Sequence, residues 1–181
     1  TAKEYGVIAI PGMELCTLEE VHVLCLFQTL EDAMEFDEYV YGQLLPVKND
    51  ESIFGKQLIY NEKDEIAGHE ENLLISATKI PFQQVYNLVH RYHGIMIPAH
   101  IDKAANSLLS NLGFIPDDSE FTCAELKNMG DLHHIRTENP YLFQCKIITD
   151  SDAHYLEHIN EPVNYLYAKS RDIKDVFAAL N

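Results

Sequence analysis

Glu14, His22, His100, Asp152 and His154 are the side chains in this sequence whose types and positions could do chemistry together. Each lies inside a short apolar run or just beyond one. Glu14 follows the run 6–10 across Pro11-Gly12, and His22 sits within the run 20–27. His100 follows Ile95-Met96-Ile97 across Pro98-Ala99, while Asp152 and His154 follow Lys146-Ile147-Ile148-Thr149. Read as strands, these runs set most of the five at strand C-terminal ends, the edge at which groups from different strands of a β/α sheet converge. His22 joins them if its strand turns it toward the same centre. Carboxylate oxygens and imidazole nitrogens together suit Zn, Mn or Fe(II), and one carboxylate can bridge two cations. Such a centre lowers the pKa of a water and binds phosphate oxygens. Taken singly, each residue says less. His22, alone in an apolar strand, reads more readily as a hydrogen-bonded core histidine than as a ligand, and an Asp-x-His also occurs by chance in loops. His69, His90, His93, His133 and His134 read as surface or capping groups. The weight rests on ligand types recurring at one edge.

The elements that must position these residues are marked by punctuation and period. Residues 6–10 are apolar and β-branched and stop at Pro11-Gly12, which suits a buried parallel strand; residues 20–27 read as the second. Thr29 is a plausible N-cap for a helix over 30–45, with acidic residues in its first turns. Residues 57–60 and 65–67 flank Asn61-Glu62-Lys63-Asp64, which predicts a surface hairpin inserted near 56–68. Val85, Leu88, Val89 and Tyr92 recur at helical spacing after Pro81 and stop at Gly94, ahead of a strand at 95–97. Strands at 121–126, 145–149 and 163–168, a polar helical stretch at 132–140 and a helix at 173–180 complete the pattern. This alternation favours an α/β fold with a mainly parallel sheet, open or closed into a barrel.

Composition bounds the function. With 181 residues, 46% hydrophobic and 23% charged, the chain is large enough for one domain over 1–181 with its own core. No apolar run approaches the roughly 20 residues needed to cross a bilayer, and no basic segment precedes an apolar one at the N-terminus, so no membrane partner is expected. Cys16, Cys25, Cys123 and Cys145 lack paired spacing and read as reduced residues of a cytoplasmic protein. The net charge of -16, from 29 acidic against 13 basic residues, repels a phosphate backbone and makes nucleic acid an unlikely partner. A small phosphorylated substrate stays open, because bound cations reverse the potential at a carboxylate-lined site. The sequence holds neither a glycine-rich phosphate loop nor a nucleophile elbow.

Four runs, IPGMELCT (10–17), VHVLCLF (21–27), GIMIPAHID (94–102) and ITDSDAHYLEHI (148–159), resemble the polymerase-and-histidinol-phosphatase (PHP) family of metal-dependent phosphoesterases, and SNLGFIP (110–116) is similar to a stretch of one bacterial branch. The resemblance implies a distorted seven-stranded β/α (TIM-like) barrel with two or three divalent metals, Zn, Mn or Fe, hydrolysing a phosphate ester with a metal-activated water. Glu14 would then bridge two metals. His22 and His100 would serve the second, Asp152 the first, and His154 the first or a third, with Glu14, His100, Asp152 and His154 as the catalytic set. Two family motifs have no counterpart: the His-x-His of an opening strand and a later Asp-His pair. A β/α barrel also takes about 250 residues, roughly 70 more than this chain has. The expectation is therefore a barrel incomplete at its N-terminus, in a truncated or cleaved form, and the alternative function is a catalytically incomplete module acting in metal binding or protein interaction.

Overall fold

The chain enters its first strand later than its apolar N-terminal run suggests. In the computed structural model, which describes residues 2–161 and 165–181, a 3-10 turn at Ala2–Tyr5 ends at Gly6 in the left-handed region, and residues 7–11 are irregular. Strand β1 is Gly12–Cys16. Its period of two is set by Leu15, buried, against Glu14 and Cys16 on the opposite face. Glu14 thus lies mid-strand, not beyond a strand end. The run 6–10 has the apolar content of a strand but no partner, whereas 12–16 has the alternation that a half-buried edge requires.

Strand β2 (His22–Leu26) returns antiparallel to β1. Only residues 17–21 join them, far too few for the crossover that parallel strands need. Thr17 closes the link: its N–H donates to the Val21 carbonyl at 3.0 Å, and its hydroxyl accepts the Val21 N–H at 3.1 Å. Helix α1 (Leu30–Tyr41) is capped by the Thr29 hydroxyl, which accepts the Asp32 N–H at 3.1 Å, and it stops at Gly42 short of the expected residue 45. Its Phe36 packs on Phe27 with ring centroids 4.9 Å apart. Helix α2 (Glu51–Phe54) is one turn capped by Asp50. Strands β3 (Leu58–Tyr60) and β4 (Ile66–His69) pair antiparallel around Asn61, whose side-chain oxygen accepts the N–H groups of Lys63 and Glu65.

Helix α3 (Phe82–Arg91) buries Phe82, Val85, Leu88 and Val89 and leads through Gly94 into β5 (Ile95–Pro98), which is buried throughout and pairs antiparallel with β2. A Cβ on Gly94 would stand 2.6 Å from the Phe27 ring and 2.7 Å from the Leu26 carbonyl oxygen, so β5 can approach β2 only without a side chain there. The short α4 (Leu108–Asn111), β6 (Cys123–Glu125), α5 (Leu132–Glu138), β7 (Lys146–Ile148) and α6 (Ile173–Leu180) follow. Strands β6 and β7 pair in parallel, with Glu125 opposite Ile148.

Among the described residues the strands form three small sheets, β1-β2-β5, β3-β4 and β6-β7, and no closed barrel. The expected seven-stranded β/α barrel and mainly parallel sheet are overturned, because the largest sheet is antiparallel and its first two strands are joined by a tight link. The expected strand at 163–168 falls partly outside the described residues, and 165–168 has no regular structure. Apolar packing covers both faces of the three-stranded sheet. On one, Leu15, Val23, Cys25 and Met96 meet Phe36, Val85 and Val89; on the other, Ile95 and Ile97 meet Phe177 and Leu180 of α6. The four cysteines are free, three of them buried. Among the described residues no helix is long and apolar enough to cross a membrane.

Candidate metal centre

The register of β1 on β2 brings the first two candidate residues together. Cys16 stands opposite His22 and Glu14 opposite Leu24, so Glu14 and His22 are diagonal neighbours on one face, within reach for long side chains. The His22 Nδ1–H donates to Glu14 Oε1 at 2.9 Å. His100 arrives from the far side of β2. The Ala99 N–H donates to the His22 carbonyl at 3.0 Å, one residue past the end of β5, and His100 then takes a left-handed φ of 30°. That backbone is costly for a residue with a Cβ. Its side chain, 2% exposed, donates from Nε2 to the same Glu14 oxygen at 3.1 Å.

Each imidazole offers a nitrogen and Glu14 an oxygen, all within 4.8 Å of one another; among the described residues no other group of three does so. Two nitrogens and a carboxylate oxygen suit a borderline cation such as Zn, Mn or Fe(II). In the protein without metal, two N–H donors converge on one carboxylate oxygen where a cation's charge could serve instead. The hydrogen bonds from His100 and then His22 hold the Glu14 carboxyl well below the usual carboxylate range. His22 is pushed up to about 9, first by its hydrogen bond with Cys16 and then by Glu14. His100 Nδ1 is buried with no partner among the described residues. The three residues fit a divalent cation by donor type and spacing, and the geometry leaves the element open.

Asp152 and His154 lie near this cluster without joining it. Asp152, also at positive φ (46°), places Oδ2 3.0 Å from Lys103 Nζ. His154 donates from Nδ1 to the Asp152 carbonyl at 2.9 Å and leaves 72% of its side chain exposed. It lines, with Glu14, His22, Cys16, Tyr41 and Ile75, a cleft of about 340 Å³. His154 therefore reaches the rim of the cleft that contains Glu14 and His22.

Glu125, which the sequence offers only as a support of the site or a structural charge and not as a ligand, lies against His100. It is 2% exposed; its Oε2 accepts the His100 N–H at 3.3 Å, and its carbonyl accepts the Ile101 N–H at 2.9 Å. Its carboxyl is pushed up to about 8, by burial first and then by Asp150, with Asp152 adding to the effect. Its signal in the sequence is a lone acid within the otherwise uncharged run 121–126. Such an acid marks either a strand's solvent face or a buried partner, and only the tertiary structure separates the two.

What fold and cluster define together is an α/β domain able to hold a divalent cation at the exit of an antiparallel sheet. No family model matches the chain. It is 28% identical over 171 residues to YqxK of Bacillus subtilis (strain 168), described as an uncharacterized protein, across 88% of this chain and 36% of that protein. In structure it is similar to the lesion-specific endonuclease PfuEndoQ from Pyrococcus furiosus, with a TM-score of 0.63, 16% identity, and coverage of 93% of this chain and 38% of that one. The chain thus spans little more than a third of the length of either protein. The likeness corrects one expectation. A fold shared with an endonuclease means that a net charge of -16 is no ground for setting nucleic acid aside as a partner, because a local site need not share the sign of the whole surface.

Proposed function

We propose that this chain carries the metal centre of a phosphoesterase that hydrolyses a phosphate ester with water. The observation that supports this reading most is the convergence of His22 Nδ1 and His100 Nε2 on one oxygen of Glu14. The resemblance of residues 10–17, 94–102 and 148–159 to the PHP family agrees with it. The fold shared with a lesion-specific endonuclease makes nucleic-acid phosphodiesters the first substrates to test.

Glu14, His22 and His100 would hold the cation. When bound, a divalent cation supplies Lewis acidity toward phosphoryl oxygens and lowers the pKa of a water. The remaining work falls to side chains. His100, buried and fixed through its backbone by Glu125, sets the depth of the site. Lys103, paired with Asp152 at 3.0 Å, would offer its ammonium to a phosphate oxygen. His154, anchored through Nδ1 and exposed on the rim, would protonate a leaving oxygen from Nε2 when its ring carries both protons, returning to the neutral form with Nδ1–H kept on the Asp152 carbonyl. A second reading, a catalytically incomplete module that binds metal, draws on the separation of Asp152 and His154 from the three-residue cluster.

The test is turnover of a phosphomonoester, a phosphodiester and a lesion-bearing oligonucleotide by the chain loaded with Mn or Zn. Glu14→Gln and His100→Ala should each lower kcat/KM on the order of 100-fold. Unchanged rates in both variants would remove the phosphoesterase reading, and metal binding without turnover of any of the three would favour the second.

A further inference from the structure

From Tyr41 to Asn72 no side chain is buried, although this arm carries Val47, Ile53, Phe54, Ile59, Tyr60 and Ile66, each 44–71% exposed. Polar bonds hold it in shape instead. The Gln57 amide donates to the carbonyls of Glu70 and Asn72 at 3.1 and 2.7 Å, and its oxygen accepts the Leu74 N–H at 3.0 Å. The apolar side chains are thus held out in water, the mark of a surface that another molecule covers.

The strands of the arm make a sheet of two, so each has an unpaired edge. On β4 the edge is broken: Tyr60 pairs with Ile66 and Ile59 with Gly68, which leaves Ala67 as a bulge. Strand β3 has no such interruption. The Gln57 carbonyl accepts the Glu70 N–H at 2.8 Å, and the Asn61 N–H donates to the Glu65 carbonyl at 3.0 Å. Residues 57, 59 and 61 therefore face β4, and Leu58 and Tyr60 turn their N–H and C=O groups outward. Neither strand holds an Asp, Glu, Lys, Arg or Pro, the usual guards of an open edge, in a chain 23% of whose residues are charged.

We propose that a second copy of this chain docks on that edge, adding its own β3 antiparallel about a two-fold axis at Ile59. The register pairs Leu58 with Tyr60 of the second copy through their outward N–H and C=O groups, and sets the two Ile59 side chains next to each other. Further out, Gln57 comes level with Asn61 of the second copy and Lys56 with Glu62 of the second copy, and the symmetry repeats each pairing. Opposite charges therefore meet at both ends of the joined strands. Moving the axis to Leu58 sets Lys56 against Tyr60, and moving it to Tyr60 sets Leu58 against Glu62, so the charges select one register. This self-complementarity favours a second copy over a strand from another protein. The proposal does not rest on the phosphoesterase reading, since no residue of β3 or β4 lines the cleft that holds Glu14 and His22.

Sedimentation equilibrium of the chain, from low to high micromolar concentration at physiological ionic strength, should show a reversible dimer at twice the 20.7 kDa of one chain. Lys56→Glu and Glu62→Lys each turn the paired attractions into repulsions and should raise the dissociation constant roughly tenfold. Combining the two changes in one chain, or mixing the two variants in equal amounts, should restore association, which misfolding cannot do. Glu62→Lys also reduces the net charge of -16, so general repulsion alone predicts tighter association for it. Ile59→Cys should form a covalent dimer on mild oxidation, because facing residues of a non-hydrogen-bonded pair have Cα atoms about 4.5 Å apart, within disulfide reach. The wild type, with Cys25, Cys123 and Cys145 buried, should not. A chain that stays monomeric over the whole range would overturn the proposal and leave the edge to a strand from another protein. A dimer that neither responds to Lys56→Glu nor cross-links at position 59 would overturn it equally. Mass and cross-linking are read without any turnover, so this proposal and the phosphoesterase reading fail separately.

Discussion

Glu125 is the residue on which the most structure depends in the least space. Its burial and the neighbouring acids push its carboxyl up to about 8, from the 4.5 of an exposed glutamate. The sign of the consequence follows from proton counts. Below pH 4.5 both folded and unfolded chains carry the proton; between 4.5 and 8 the unfolded chain releases it while the folded chain keeps it. Stability of the metal-free protein therefore falls as pH rises through that window and levels off above it. Glu125→Gln removes the titration. Its thermal midpoint with chelator present should match the wild type near pH 5 and exceed it by several degrees near pH 8.5, read by circular dichroism. A wild-type midpoint that rises between those pH values for reasons traced to Glu125 would contradict this account.

At the scale of elements, the three-stranded sheet depends on positions where no side chain fits. A Cβ at Gly94 would stand 2.6 Å from the Phe27 ring, and one at Gly12 would stand 2.5 Å from the Cys25 carbonyl oxygen. Gly94→Ala should cost about 1–3 kcal/mol in urea unfolding through overpacking, and a variant as stable as the wild type would show that β2 and β5 can separate freely. Much of this level was readable in the sequence. The run 95–97 between Gly94 and Pro98 marks β5 and hence His100, and the polar turn 61–64 between two short runs marks β3 and β4. What misled was apolar content without partners. Residues 7–10 outweighed the weaker alternation of Met13 and Leu15 with Glu14 and Cys16, though only the latter segment has a strand to pair with. Strand direction was legible only in the five residues 17–21, whose brevity forces an antiparallel return. The grouping of Glu14 with His100 spans 86 positions and has no local signal; Glu125 shows as a lone acid in 121–126, but its burial exists only in the packed protein. Asp152 and His154 stand out in the sequence by type and spacing alone, and the lysine that engages Asp152 comes from another loop.

For the whole molecule the dominant fact is charge. A formal -16 on 181 residues means that compaction brings like charges closer, a cost that grows when the solvent screens them poorly. Raising NaCl from about 20 to about 200 mM shortens the screening length from roughly 20 to roughly 7 Å. The thermal midpoint should rise by a few degrees over that range. A midpoint that falls would show that specific ion pairs, such as Lys48 with Glu71, outweigh the general repulsion. The same charge distribution bears on partners. If a polyanion binds, it must be met by local positive charge at the cleft, so its affinity should depend on cation loading more than on the surface average.

The order β1-β2-β5 has a further consequence. Glu14 and His22 come from adjacent strands and His100 from two residues past the third, so the width of the cluster is gauged by the hydrogen-bonded distance between backbones, about 4.8 Å per step. Side-chain rotation can trim that gauge but cannot reset it. A lengthened or shortened arm at any of the three positions would have no neighbouring chain free to slide and compensate, which makes the cluster a caliper locked by the sheet itself.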